Sequence, residues 1–308
     1  MRKGIALLIT LMFIMAISIS IGVGLSYTSR AQNSLKDENF VLQSNIILND
    51  VLVLLKDSPE LKEIVKDKSG DMFSIFLAQS SFIPFESSGI QIALEIQSAR
   101  SKFNPSSLIS ADKKTIDLHR VNAFREFLAK RMVNQTYVDI LLDGLGGVKD
   151  DLSYNSDIFN YNDTLYRDSI ASKKHLENFN EFFKDSFLDN SLSLIEFDKL
   201  LYFSDDANST NSYTIDLNYA TAEVWELMLG VDELRAQELA LGGGYYSEDN
   251  MPQLSDEEKT FLDKFQTSYA PQMYLDVKVE VIQSEFRANI SFEYDIASQK
   301  GYNFSYEI

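Results

Sequence analysis

Residues Ile5 to Leu25 form an unbroken run of 21 residues without one charged side chain, opened by Arg2, Lys3 and Gly4. As a helix this run is roughly 31 Å long, about the thickness of a bilayer core. A secretory signal peptide carries a shorter apolar region, of about 7–15 residues, and a small-residue cleavage site after it. Here "SYTSRAQNSLKDENF" follows, with no such site and with a helical rhythm. The run therefore reads as a retained single-pass transmembrane helix. Arg2 and Lys3 ahead of it place the N-terminus in the cytoplasm and everything after Leu25 across the membrane.

The 308 residues leave roughly 280 outside the bilayer, enough for one large or two small domains. There is no cysteine, which excludes disulfides, thiol catalysis and thiolate metal sites. The net charge is −18, and the first thirty residues hold three bases and no acid, so the remainder carries −21. A domain so acidic repels nucleic acid and anionic lipid and suits cations or basic partners.

Past the membrane run, Phe40, Ile47, Val51 and Leu54 recur at spacings of seven, four and three, one face of an amphipathic helix. Pro59 ends it. Too few heptads follow one another for a coiled-coil stalk. Strand alternation appears in "GIQIALEIQ", with Ile90, Ile92, Leu94 and Ile96 on one face. It returns only near the end. Met273, Leu275, Val277, Val279 and Val281 alternate with polar residues, as do Phe286, Ala288, Ile290, Phe292 and Tyr294, and "YNFSYEI" makes a third strand. This is a meander with one buried face, set against the amphipathic helix. Between Gln97 and Gln272 the texture is helical, as in "TIDLHRVNAFREFLAKRMV", "KKHLENFNEFFKDSFL" and "TAEVWELML". The expected fold class is α+β. A long N-terminal helix packs on a small antiparallel sheet, and a large, mostly helical insertion interrupts the unit.

Enzymatic motifs are missing. No H-E-x-x-H, G-x-S-x-G or phosphate-loop pattern occurs. His119 and His175 lie in charged helical stretches and are expected to face solvent. "LGGGYY" reads as a helix stop and a loop. "IDLNYATAEVWELMLGVDELRAQELA" also looks like a helix-hairpin-helix, a unit that holds DNA phosphates on backbone amides. Its turn, "LGVDE", has one glycine and two acids, which argues against nucleic acid. The plainer expectation is that Asn218 caps the helix starting near Thr221, and that Val224, Trp225 and Met228 are core. One acidic loop, "KDDLSYNSDIFNYND", gathers Asp150, Asp151, Asn155, Asp157, Asn162 and Asp163. It lacks the D-x-D-x-D-G spacing of a calcium loop and reads first as a solvated surface.

The junction "RKG" before "IALLIT" resembles the prepilin-peptidase site of type IV pilins and pseudopilins. That likeness implies cleavage after Gly4 and a methylated new N-terminus at Ile5. The fifth mature residue, usually glutamate in that family, is Ile9 here. A carboxylate inside a bilayer is costly without a partner. Its absence resembles the K-type minor pseudopilin of type II secretion, which sits at the fibre tip. Three further segments resemble the K-type pattern in the right order. "ARSKFNPSSL" matches at Asn104, and "YVDILLDGLGGVKDD" matches at Asp143 but lacks a tryptophan and has Gly146 in place of a second aspartate. "YTIDLNYATAEVWELMLGVDELRAQELA" matches at Asn218, Ala220 and Val224, with Asp216 replacing an asparagine.

The resemblance implies a leader over 1–4 and an N-terminal helix over 5–58, transmembrane over about 5–25. A pilin-like part with its first strand follows over 59–103, then the helical insertion over 104–272 with a helix-hairpin-helix-like segment at 214–241, and C-terminal strands over 273–308. It further implies a non-enzymatic subunit that starts and caps a periplasmic fibre from the bacterial inner membrane. The implied partners are I- and J-type minor pseudopilins, the major pseudopilin, the prepilin peptidase and the inner-membrane secretion platform. It implies calcium in the insertion, with Asp143, Asp150, Asp151, Asp157 and Asp163 as the acids at hand. A minor pilin of a related pilus system, or a membrane-anchored acidic binding module, stays open beside it.

Overall fold

The computed structural model describes residues 38–67, 70–87, 89–109, 115–146, 156–162, 164–203, 213–242, 246–247 and 250–307. Gly4, Ile5, Ile9 and the 5–25 run lie outside the described residues. The description begins in helix α1, Glu38–Asp57. Its buried face is Phe40, Ser44, Val51 and Leu55, with Ile47, Leu48 and Leu52 half-buried beside it. Leu54, expected on this face, is 65% exposed, while Leu55 is 6% exposed. One residue is 100° of helix, so the true stripe of 40, 44, 47/48, 51 and 55 turns Leu54 to the flank. The helix stops at Asp57 because Pro59 has no N–H to donate and starts α2, Pro59–Ile64, where Ser58 Oγ accepts from Leu61 N at 3.2 Å. Helix α3 is Asp71–Ser80.

Five antiparallel strands follow: β1, Phe82–Ser87; β2, Ile90–Ser98; and, after the helical segment, β5, Tyr274–Gln283; β6, Phe286–Asp295; and β7, Lys300–Glu307. Their order is β1-β2-β5-β6-β7. Pairing Ile92 with Val281, Leu94 with Val279 and Ile96 with Val277 puts the apolar set of each strand on one face. Ala288, Ile290, Phe292 and Tyr294 continue that face across β6. Helix α1 lies on it, with Phe40 against Phe286 at 5.5 Å between ring centroids. The expected α+β arrangement, helix on antiparallel sheet with a helical insertion, is the observed one. Strand β1 was not foreseen, because Pro84 and three large apolar residues break its alternation.

The helical body contains α4, Leu118–Lys130; α5, Thr136–Leu145; α6, Ile158–Tyr161; α7, Lys173–Phe187; and α8, Phe197–Leu200. After a two-residue strand β3, Ile215–Asp216, come α9, Ala222–Leu229; α10, Glu233–Leu241; and α11, Asp256–Leu262. Strand β4, Thr267–Ser268, pairs parallel with β3. Val224, Trp225 and Met228 of α9 sit at the centre of the core, as expected. His175 is a correction. It is buried on α7 between Tyr166 and Phe179, at 4.4 and 5.3 Å between ring centroids, and burial pushes its imidazole below the usual value. His119 is exposed.

Candidate functional site

The outward face of the sheet reads as polar, yet part of it is covered. Glu293 on β6 and Arg100, in the helical turn Ala99–Ser101 after β2, are both buried. Arg100 donates through Nη1 and Nη2 to the two Glu293 carboxylate oxygens at 2.8 and 2.7 Å. Its guanidinium also lies over the rings of Tyr274, on β5, and Tyr202, after α8, at 4.1 and 5.0 Å to the centroids. A planar fork matched to a carboxylate and stacked on aromatic faces is a geometry only arginine supplies. Beside it Lys102 Nζ stands 3.5 Å from Asp276 on β5. These contacts join the helical body to the sheet. They are not legible in the sequence, because a charged residue at an alternate strand position, such as Asp276 or Glu293, looks like part of a solvated face.

The segment "IDLN" is the second part of this joint. Asn218 does not cap α9, as expected from sequence. Thr221 does, its side chain accepting from Val224 N at 3.3 Å. Asn218 instead donates from Nδ2 to the carbonyls of Tyr246 and Tyr269, each at 2.9 Å, and accepts from Tyr246 N at 2.8 Å. Two residues earlier, Asp216 accepts from Asn218 N at 3.1 Å and from Gln272 N at 2.8 Å. Gln272 is the return from the helical body to β5. The turn thus holds the return crossing, and just after it Thr221 N donates to Ser101 O at 3.2 Å, beside the outgoing one. Burial raises the Asp216 carboxyl to about 7 against the pull of those two donors.

The helix hairpin is real in shape, with α9 and α10 joined at Gly230, which adopts φ 65° as the helix end. Its chemistry is not that of a phosphate cradle. Asp232 caps α10, accepting from Arg235 N at 2.9 Å, so an acid already fills the helix start. The carbonyls of Gly230 and Val231 accept from Lys130 Nζ, each at 2.7 Å.

Of the acidic-loop residues, Asp150, Asp151, Asn155 and Asp163 lie outside the described residues. Asp143 is buried on α5. One of its oxygens accepts from Ser156 N and Oγ, each at 2.9 Å, and the other faces Arg167 at 3.6 Å. Arg167 in turn lies 3.7 Å above the Phe159 ring. Asp157 starts α6 in a left-handed conformation, φ 62°, and accepts from Asn160 Nδ2 at 3.1 Å. A calcium ion needs six to eight oxygens. Asp143 already has a cation and two donors, and among the described residues no three acidic or histidine side chains converge. The described part of the set does not fit the ion.

The remaining surface feature is α1. Leu42, Ile46 and Val53 are 61%, 58% and 55% exposed, and they lie opposite the stripe that faces the sheet. With Asn49 they follow spacings of four, three and four, the rhythm of a helix-packing seam. That spacing was visible in the sequence beside the buried one. Edge strand β1 also shows apolar side chains, Phe82, Ile83 and Phe85. Its backbone is blunted. Ile96 N donates to Ser81 O, so Phe82, Pro84 and Glu86 turn their main-chain groups outward, and Pro84 has no N–H to offer.

No protein-family model matches the sequence, and no curated protein matches it. Among solved structures, the chain is similar to one chain of the GspK-GspI-GspJ complex from the enterotoxigenic Escherichia coli type 2 secretion system. The identity is 12% and the TM-score 0.49, over 78% of this chain and 92% of that one. The fold assignment rests on the topology described above.

Proposed function

We propose that this chain is a minor pseudopilin that helps to start and cap a periplasmic pseudopilus of a type II secretion system. The observation that carries the reading is the two-faced helix α1. One stripe is used on the sheet, and the opposite stripe of Leu42, Ile46 and Val53 is apolar and open. A helix that continues a membrane-length apolar run and is greasy on both sides is built to lie between its own sheet and a neighbour's helix. Exposed apolar surface of that kind marks an interaction site.

In this reading the work is done by packing and not by chemistry. The 5–25 helix waits in the inner membrane after cleavage behind Gly4. Ile9 keeps its N-terminal end free of a carboxylate that would need a partner in the subunit above. The helical body, joined to the sheet through Arg100 and Glu293, then blocks stacking of a further subunit. The partners are I- and J-type minor pseudopilins below it.

Mass spectrometry of the N-terminus of membrane-extracted protein tests this. A mature chain beginning at methylated Ile5 is expected. An intact Met1 would remove the pseudopilin assignment and leave a membrane-anchored binding module.

A further inference from the structure

Asp216 is fully buried and is bound by main-chain N–H groups from two separate stretches, its own turn and the return to β5. Among the described residues no cation answers its charge. On its own turn the titratable neighbour is Tyr219, whose hydroxyl is pushed up to about 12 and stays neutral. From β4 the facing residues are Thr267 and Ser268, without charge. From the return segment they are Tyr269 and Gln272, again without charge, the Tyr269 hydroxyl being raised by burial. From the turn Ala99–Ser101 the near cation is Arg100, and both its terminal nitrogens are given to Glu293. Tyr219 also packs edge-on against Phe73 of α3 at 5.5 Å, so this turn touches the helical body and the sheet layer together.

We propose that Asp216 is a pH-sensitive latch that sets how firmly the helical body is held on the sheet. The device follows from the placement. A lone carboxylate, sealed in the joint, is tolerable when protonated and costly when charged. In the opened joint water reaches it, and it titrates as an ordinary aspartate near 3.8. In the closed joint it titrates near 7. The closed form is therefore firmest below the ordinary carboxylate range and loses hold as the pH climbs to about 7, after which the loss is complete. Each pH unit between the two values shifts the opening equilibrium by up to about tenfold. Mild acid tightens the joint and mild base loosens it.

Amide hydrogen exchange on the full-length protein in detergent micelles tests the latch, with each rate divided by the intrinsic rate at that pH. Residues 213–221 and 269–273 should open on the order of tenfold more often at pH 8 than at pH 6. The β5–β6 hairpin, held by its own ladder, should not change. Asp216→Asn, which has no charge to gain, should show one level of protection at both values. Tyr219→Phe should keep the wild-type response. Equal protection of the wild type at pH 6 and pH 8 overturns the proposal, and this reading stands even if Asp216→Asn fails to fold. A tenfold response retained in Asp216→Asn, or lost in Tyr219→Phe, overturns it as well.

Discussion

The sheet layer and the helical body bury their apolar residues in different ways. In β5 every second residue enters the core, Leu275, Val277, Val279 and Val281, and the ones between stay polar. In α9 six consecutive residues are buried, Val224 through Leu229, and Glu226 among them is tied to Arg131 at 2.9 and 2.6 Å. The sheet layer is one-sided, so its finish depends on what covers it: α1 on one face and the helical body on part of the other. The helical body is closed around Trp225 and needs no cover. The difference shows where this chain can meet a partner. The helical body also exposes apolar residues, Met132, Leu188, Leu234 and Leu241 among them, but the layer's own helix presents them as a regular stripe on its outer side.

The largest test of that division is at the joint. Arg100→Ala takes both guanidinium donors from the buried Glu293 carboxylate, and breaking a buried pair in this way costs about 3–5 kcal/mol. Arg100→Met with Glu293→Met should recover most of it, since neither charge then remains. Denaturant midpoints of the full chain measure both. If Arg100→Ala costs less than about 1 kcal/mol, the two layers are not fastened there and behave as separate units.

Within the sheet layer, neighbouring leucines on α1 make a sharper contrast. Leu55→Ala opens a cavity beneath the helix and should cost about 2–5 kcal/mol. Leu54→Ala, one residue away and 65% exposed, should change stability by no more than about 0.5 kcal/mol. Equal costs would mean that the helix is rotated from the position described.

The helical body has its own close contact at Gly144. A Cβ there would lie 2.5 Å from two ring carbons of Phe179, where α5 crosses α7. Gly144→Ala should cost about 1–3 kcal/mol through overpacking, read as a lower thermal midpoint. Asp143 sits one residue before it. Asp143→Asn should lower stability to the same extent with and without added calcium, because its partners are Arg167 and Ser156. A calcium-dependent difference would restore it as a ligand.

What was legible in the sequence follows the same division. Period-two alternation marked β2, β5 and β6 and which face each buries, because a one-sided sheet writes its burial into every second residue. On α1 the same reading missed by one residue, since Leu54 and Leu55 fit a helical stripe almost equally. Trp225 was legible as core. The joint was not. Arg100 and Glu293 stand 193 positions apart and carry the residue types of a solvated surface. Nothing local to Asn218 showed that its side chain would bridge Tyr246 and Tyr269 and leave capping to Thr221. Such long-range polar contacts are decided by which elements meet, and periodicity within one element does not report that.

The smallest expected effect on stability bears most directly on function. Ile46 is 58% exposed, on the side of α1 turned away from the sheet. Ile46→Lys removes apolar surface that folding does not bury, so the denaturation midpoint should move by the equivalent of at most about 0.5 kcal/mol. A partner helix laid on Leu42, Ile46 and Val53 would have to bury that ammonium in an apolar seam, where an unpaired charge is strongly disfavoured. On the proposed reading, co-purification with I- and J-type minor pseudopilins should then be lost from a protein that is fully folded. Asn49→Leu, which completes the seam, should strengthen it. If Ile46→Lys folds and still co-purifies at the wild-type level, the outer stripe is not the contact, and the open side of the sheet layer must be sought at Phe82, Ile83 and Phe85 on the blunted edge of β1.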